Sequence, residues 1–546
     1  MSKTFNLADL FEVVAQAVPE RLAFVCGDRR LSYRQLDERA TRLASALRRR
    51  GVSRGDNVGI QLFNSAEYLE SFFACCKIGA APVNVNYRYV ADELRFLFTS
   101  LDLKALVYGA EFGAAVAAVA PSAPRLALKV RVDPPGHVPA PAERPDAVDG
   151  ALAYEPLLLS GSAHLEDPER SDDDLYILCT GGTTGLPKGV MWPHRHLMMA
   201  ALGGGGIYFG RPPIQRPEEL AEFVPLGPPL VYFAAAPMMH GAAMWASLIS
   251  LYAGHTVLVN DQPRFDAEHV WDLIERGGVN IVSIVGDAMA QPLIQALEAQ
   301  PTRWDLSRLR VFGNGGAVFS RHLQERLKRL LPHITLNNGL GSSETGLVGG
   351  GQKALPGHQG LIHITPRPDL AVVGDAGGFV TAPGAEGILA RTGYTPVGYY
   401  GDAAKTAETF VRIDGRVWAL TGDRARIDDD GGILVLGRGS QCINTGGEKV
   451  FPEEVEEAAR RCHGVADVVV VGLPDERWGQ KVAAVVQPAA GASFDPAEFD
   501  RVCRLHLSGY KVPKTVVLAP QVVRSPAGKA DYAWARRYAE ANATTP

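Results

Sequence analysis

Apolar positions along the first hundred residues switch between two periods. Leu36, Ala40, Leu43 and Leu47 recur at helical spacing, which predicts an amphipathic helix with one buried face. Ser32 and Gln35 stand where a capping box would start that helix, and Gly51 stands where a left-handed residue would stop it. Residues 58–62 (Val-Gly-Ile-Gln-Leu) read as a buried strand, residues 66–78 as a second helix, and Pro82-Val83-Asn84-Val85 as the start of another strand. Strand and helix in alternation predict a parallel sheet clothed in helices, an α/β fold. Two further strand-like runs, at 281–285 and 309–313, each follow a helical stretch. After Gly437 the pattern changes to short strands and two helices, one of which, 452–461, opens with proline at a first-turn position. The expected organisation is a large N-terminal domain over residues 1–437 and a small α+β C-terminal domain over 438–546.

Chain length and composition support that division. A single core of ordinary size does not serve 546 residues. The 46% hydrophobic content is that of globular proteins, and a net charge of −5 excludes a nucleic-acid binder, leaving local basic patches for any polyanionic ligand. Residues 231–254 are almost uncharged and long enough for a bilayer. Pro237, His240 and several small residues interrupt them, so a buried segment is expected, with no stable membrane span. Residues 134–145 hold five prolines and read as an irregular surface connection. The seven cysteines show no Cys-x-x-Cys pair, and residues 1–6 lack the apolar run of a signal peptide, so a cytoplasmic protein with reduced thiols is expected.

Residues 180–189 carry the strongest chemical signal: Thr180-Gly181-Gly182-Thr183-Thr184-Gly185-Leu186-Pro187-Lys188-Gly189. Glycines let backbone N–H groups turn toward an anion, threonines add hydroxyl donors and lysine adds a charge, so the run predicts a phosphate cradle. It is not a Walker A loop, because Lys188 follows proline and Gly528-Lys529 is followed by alanine.

This run resembles the nucleotide loop of the acyl-adenylate-forming superfamily, which includes acyl-CoA synthetases, luciferases and the adenylation domains of peptide synthetases. Serine is usual there where this chain has Gly181. The resemblance implies an enzyme that activates a carboxylate with ATP, and further stations follow in family order. Gly315-Gly316-Ala317 lacks bulk, which suits either a flat base lying on the backbone or a plain tight turn. In Gly339-Leu340-Gly341-Ser342-Ser343-Glu344 the resemblance makes Glu344 the Mg2+ ligand, with Thr184 beside it, and Leu340 replaces the usual aromatic residue. Asp423 resembles the family's ribose-binding aspartate and Arg438 an arginine that also reaches the ribose. Ser440 stands at the pivot where Asp or Lys is usual, and Gly446-Gly447 matches the loop lining the pantetheine tunnel. Lys529 resembles the terminal catalytic lysine of a mobile C-terminal lid.

The cofactors so implied are ATP, Mg2+ and CoA, and the partner is a small-molecule carboxylic acid; a homodimer is left open. Apart from Met1 every methionine lies between residues 191 and 289, the window that forms acyl-binding walls in the family, which predicts a Met-lined hydrophobic pocket or ordinary core filling. His240, in Met238-Met239-His240-Gly241, matches a gate beside the carboxylate and is expected to position it. The run 203–206 of four glycines would leave room for a wide ligand or end a helix. The motif wording resembles bacterial fatty-acyl and steroid side-chain CoA synthetases. The alternatives are an acyl-AMP ligase that loads a carrier protein and a non-catalytic acyl or nucleotide sensor on the same fold.

Overall fold

Two large sheets carry the parallel strands that the alternating pattern predicts. The computed structural model describes residues 3–134, 148–166, 168–181, 187–317, 319–350, 362–438, 441–445, 448–475, 479–507, 509–524 and 529–543. The first sheet runs, in spatial order, Gly346–Gly350, Thr335–Ser342, Val311–Gly315, Ile281–Ile284, Val231–Ala234, Thr256–Val259, Leu22–Cys26 and Arg29–Ser32. Its two outer pairs are antiparallel and its inner pairs parallel. The second runs Gly398–Tyr399, Pro187–Pro193, Leu175–Gly181, Ala81–Asn84, Asn57–Gln61, Leu103–Gly109, Leu128–Val132 and Leu152–Ala153.

Helices Leu7–Ala17, Tyr33–Arg49, Ala66–Lys77 and Gly241–Tyr252 join residues of both sheets in one core. Helix Tyr33–Arg49 shows how the sequence builds this layer. Its capping box is formed by Ser32 and Gln35, and Leu36, Ala40, Leu43 and Leu47 are fully buried. Gly51 follows with φ +85°, a conformation that costs glycine little. The run 309–313 is displaced. Leu309 lies in a turn, and the strand is Val311–Gly315, because Asn314 and Gly315 pair with Ile284 and Gly339 although they carry no apolar side chain.

Residues 231–254 divide into strand Val231–Ala234, a turn around Pro237 and helix Gly241–Tyr252. Among the described residues no helix is long and apolar enough to cross a membrane. Most of the proline-rich stretch, residues 135–145, lies outside the described residues.

An antiparallel sheet follows, with Arg416–Ile427 between Glu386–Thr392 and Ile433–Arg438. The last sheet, beyond residue 442, centres on Val465–Asp475 and Gly479–Pro488. Its valines are buried on both faces: Val468, Val470 and Val482 pack toward helices Pro452–Ala459 and Pro496–His506, while Val469, Val471 and Val485 pack toward helix Tyr532–Asn542. A strand covered twice needs no polar alternation, which is why this stretch reads as an unbroken apolar run.

Candidate active site

The site lies at the carboxyl ends of the parallel strands, where open α/β sheets leave a crevice. Strand Val311–Gly315 delivers Gly315 and Gly316, and Gly316 has φ +84°. Asn314 fixes the turn: its Oδ1 accepts from Gly286 N at 2.7 Å and its Nδ2 donates to Ala317 O at 3.0 Å. A Cβ at Gly315 or Gly316 would come within 3.9 and 3.8 Å of the Ala242 Cβ, so this turn lies against the first residues of helix Gly241–Tyr252.

His240 is the N-cap of that helix. Asn64 and Asn84 hold the turn that presents it. Asn64 Oδ1 accepts from Met238 N at 2.8 Å and Asn84 Nδ2 donates to Met239 O at 2.6 Å. Asn84 Oδ1 also accepts from Cys179 N at 2.6 Å, so one buried amide joins the His240 turn to the strand entering the glycine-rich loop. His240 Nε2 is buried with no hydrogen-bond partner among the described residues. Burial, with the positive charges of Arg88 and Lys529 nearby, lowers the imidazole to about 4, so the ring is neutral at ordinary pH. A buried ring nitrogen without a partner, beside two cations, suits an incoming carboxylate.

Strand Thr335–Ser342 leads into the turn holding Glu344. The turn is stitched by Ser342 Oγ to Thr345 Oγ1 at 3.0 Å and by Trp192 Nε1 donating to Ser343 O at 2.8 Å. Arg391 donates to the carbonyls of Ala200, Thr345 and Leu347 from beneath, and its burial pushes it down to about 10. Glu344 Oε1 accepts from the Tyr399 hydroxyl at 2.9 Å. The Lys188 ammonium lies 3.6 Å from Asp402 Oδ2 and 5.7 Å from the centre of the Tyr399 ring. Strand Gly398–Tyr399 makes this convergence possible, because it pairs along Pro187–Pro193, the strand that carries Lys188.

Asp423 and Arg438 occupy paired positions of the backbone ladder between strands Arg416–Ile427 and Ile433–Arg438. Gly422, with φ +78°, lies inside the first of these strands, so Thr421-Gly422-Asp423 is not a connecting turn. Lys529 is solvent-exposed beside the Arg524–Ala530 bridge. Thr180 and Gly181 end strand Leu175–Gly181, whereas Gly182, Thr183, Thr184, Gly185, Ser440, Gly446 and Gly447 lie outside the described residues. Leu340 turns its side chain against the core of the antiparallel sheet, which leaves its backbone to the site.

In two places the structure favours one of the open alternatives. The four glycines at 203–206 do not leave room for a ligand: a Cβ at Gly204 would stand 2.6 Å from Pro213 Cβ, and one at Gly206 2.4 Å from Arg211 O. The chain's own 211–213 segment fills that space. Met198, Met238, Met239 and Met244 are all buried in the main core, with Met199 and Met289 packed against it. Sequence reading passed over Tyr399, Asp402, Asn84 and Arg88. A tyrosine or asparagine outside a motif carries no signal until pairing places it.

Residues 11–400 match the AMP-binding enzyme family and residues 454–529 the AMP-binding enzyme C-terminal domain. A medium/long-chain-fatty-acid–CoA/3-oxocholest-4-en-26-oate–CoA ligase of Mycobacterium tuberculosis is 40% identical over 549 residues, covering 99% of this chain and 97% of that protein. A 3-oxocholest-4-en-26-oate–CoA ligase of Rhodococcus rhodochrous is 41% identical over 537 residues, covering 97% and 95%. Among solved structures, the anthranilate CoA ligase AuaEII with anthranoyl-AMP superposes with a TM-score of 0.82 at 21% identity, covering 97% of this chain and 96% of that one. The chain belongs to the AMP-binding enzyme family. Within it the chain is an AMP-forming acid–thiol ligase, an acyl-CoA synthetase whose substrates include ATP and CoA.

Proposed function

We propose that this acyl-CoA synthetase activates a hydrophobic carboxylic acid, a medium- or long-chain fatty acid or a sterol side-chain carboxylate, in the cytoplasm. Two observations carry the reading: Lys188 and Glu344 converge on Tyr399, and His240 is neutral, with an Nε2 that has no partner among the described residues. The whole-chain likeness to fatty-acid and steroid side-chain ligases supports the substrate class.

The chemistry follows from charge. Carboxylate and ATP repel each other, so the site must neutralise phosphate while it holds the carboxylate oxygen in line with the α-phosphorus. His240 would orient the carboxylate, and Lys529 would lie over the charge that develops between it and the α-phosphate. The loop 180–185 and Lys188 would hold the outer phosphates, and Gly315 to Ala317 with the backbone of 339–343 would take the base. Asp423 and Arg438, opposite one another, suit the two ribose hydroxyls. Acyl-AMP and pyrophosphate are the products.

A hard cation wants oxygen donors, and the Glu344 carboxylate, with Oε1 steadied by Tyr399, fits that demand. Glu344 would hold Mg2+ with Thr184, and the ion when bound would neutralise phosphate charge. Residues 438–546 would then turn as a lid about Ser440, withdrawing Lys529 and bringing in the Gly446-Gly447 loop, so that the CoA thiol attacks the mixed anhydride and releases AMP.

The test is kcat/KM for CoA-thioester formation across linear acids of rising length, branched acids and a sterol side-chain acid. The reading expects long or polycyclic apolar acids to exceed acetate and amino acids by orders of magnitude. Preference for short or charged acids would refute it.

A further inference from the structure

Beyond the residues that meet substrate, a run of buried charges connects the large sheet to the segment carrying Lys529. Asp287 is the second residue of helix Gly286–Ala299 and is 7% exposed. Its Oδ1 accepts from Ser320 N at 2.7 Å, at the N-cap of helix Arg321–Leu330. Its Oδ2 lies 3.6 Å from Arg460 Nε, at the end of helix Pro452–Ala459 in the C-terminal part of the chain.

Arg460 is itself buried, and its Nη2 donates to Glu456 Oε2 at 3.3 Å and to Val468 O at 3.2 Å. The same atom lies 3.8 Å from Asp467 Oδ1. Asp467 receives both arms of Arg524, at 2.6 and 2.7 Å. Arg524 bridges Ala530, the neighbour of Lys529. The chain of contacts thus runs Asp287, Arg460, Asp467, Arg524 and, through the backbone bridge, Ala530 beside Lys529; its first link joins the two parts of the molecule.

We propose that the Asp287–Arg460 ion pair is a positioning contact that holds the C-terminal part with Lys529 facing His240, and so serves acyl-AMP formation selectively. The inference rests on the two-step ligase reading above. The pair is buried, so solvent does not screen it as it would a surface pair. Losing the Asp287 charge removes a carboxylate that the N-terminal part of the chain presents to Arg460, which weakens the docked arrangement. Rotation of the lid would separate Asp287 from Arg460. Glu456 and Asp467 travel with Arg460, so the arginine keeps two carboxylates in either position. The contact therefore biases one lid position without being needed for the fold of the lid.

Asp287→Asn tests this, because the amide oxygen can still accept from Ser320 N while the charge is lost. Acyl-AMP formation, followed as acid-dependent pyrophosphate release in a single turnover, should fall about tenfold or more as the competent lid population shrinks. Thioester formation from supplied acyl-AMP and CoA, measured on the same preparation, should match the parent or exceed it. Equal loss in both half-reactions would make Asp287 a structural residue and overturn the proposal, as would an unchanged first half-reaction. A parent enzyme that releases no acid-dependent pyrophosphate would instead refute the ligase reading, and the inference would fall with it.

Discussion

The Tyr399 hydroxyl donates to Glu344 Oε1 at 2.9 Å, while the centre of the same ring lies 5.7 Å from the Lys188 ammonium. One side chain thus spaces a carboxylate from a cation in the part of the site assigned to the phosphates. Tyr399→Phe keeps the ring and removes the hydroxyl. Partners that orient a metal-holding carboxylate typically change affinity about tenfold to a hundredfold. The Mg2+ concentration giving half-maximal pyrophosphate release should rise in that range, with the protein still folded. Glu344→Ala should do worse, lowering the rate by about a hundredfold or more. An unchanged Mg2+ dependence in both variants would move the ion to another carboxylate.

Lys529 should matter to one half-reaction only. Removing its ammonium should cripple acyl-AMP formation, by about a hundredfold on the scale of a deleted charge-stabilising donor. Lys529→Ala supplied with synthetic acyl-AMP and CoA should form thioester at close to the parent rate. Loss of both steps would give the lysine a role in CoA binding or in the fold.

Met239 is 1% exposed and lies in the main core, with its carbonyl held by Asn84. Met239→Ala should lower stability by about 2 to 5 kcal/mol, as deletion of a buried side chain does. Chemical denaturation measures this directly. If the residue also borders the acyl group, the same variant should accept bulkier acids; unaltered stability would place Met239 at a pocket wall alone.

Acid should weaken the fold through its buried histidines. Burial lowers His194 to about 3 and His240 and His255 to about 4, and it lowers His322 to about 4 with Arg460 and Arg326 adding to the effect. In the unfolded chain each titrates near 6.5. Between those values the unfolded state binds more protons, so stability rises with pH across the window and is lost as pH falls from about 6.5 toward 4. Each histidine contributes on the order of 1.4 kcal/mol per pH unit within it. Denaturation midpoints at pH 7.5, 6.0 and 5.0 should decline in that order, and a flat profile would contradict the assignment of these rings as buried and neutral.

Local signals carried the fold well. The capping box at Ser32 and Gln35, the 3.6-residue spacing of Leu36 to Leu47 and the apolar run at 58–62 report short-range preferences, and each appears within a residue or so of its expected place. The strand end at Asn314-Gly315 was hidden, because parallel pairing with distant strands creates it without any apolar pattern. The glycines at 203–206 leave two readings open in the sequence for a related reason. Space beside a glycine is filled by whatever segment returns to it, here Arg211 to Pro213. Candidate residues inside motifs can be proposed from the sequence alone, whereas Tyr399, Asn84 and Asp287 act through partners 55, 155 and 33 positions away. No local pattern encodes such distances.

A ligase of this kind couples adenylate formation to thioester formation on one hydrophobic acid. The most direct measurement follows pyrophosphate, AMP and CoA thioester together, with ATP, Mg2+ and a long-chain or sterol side-chain acid, in the presence and absence of CoA. Acid-dependent pyrophosphate release should be limited to about one equivalent of enzyme without CoA, and pyrophosphate, AMP and thioester should be released continuously in equal amounts with it. Pyrophosphate release that turns over equally without CoA, or none in response to any acid, would rule out such a two-step ligase.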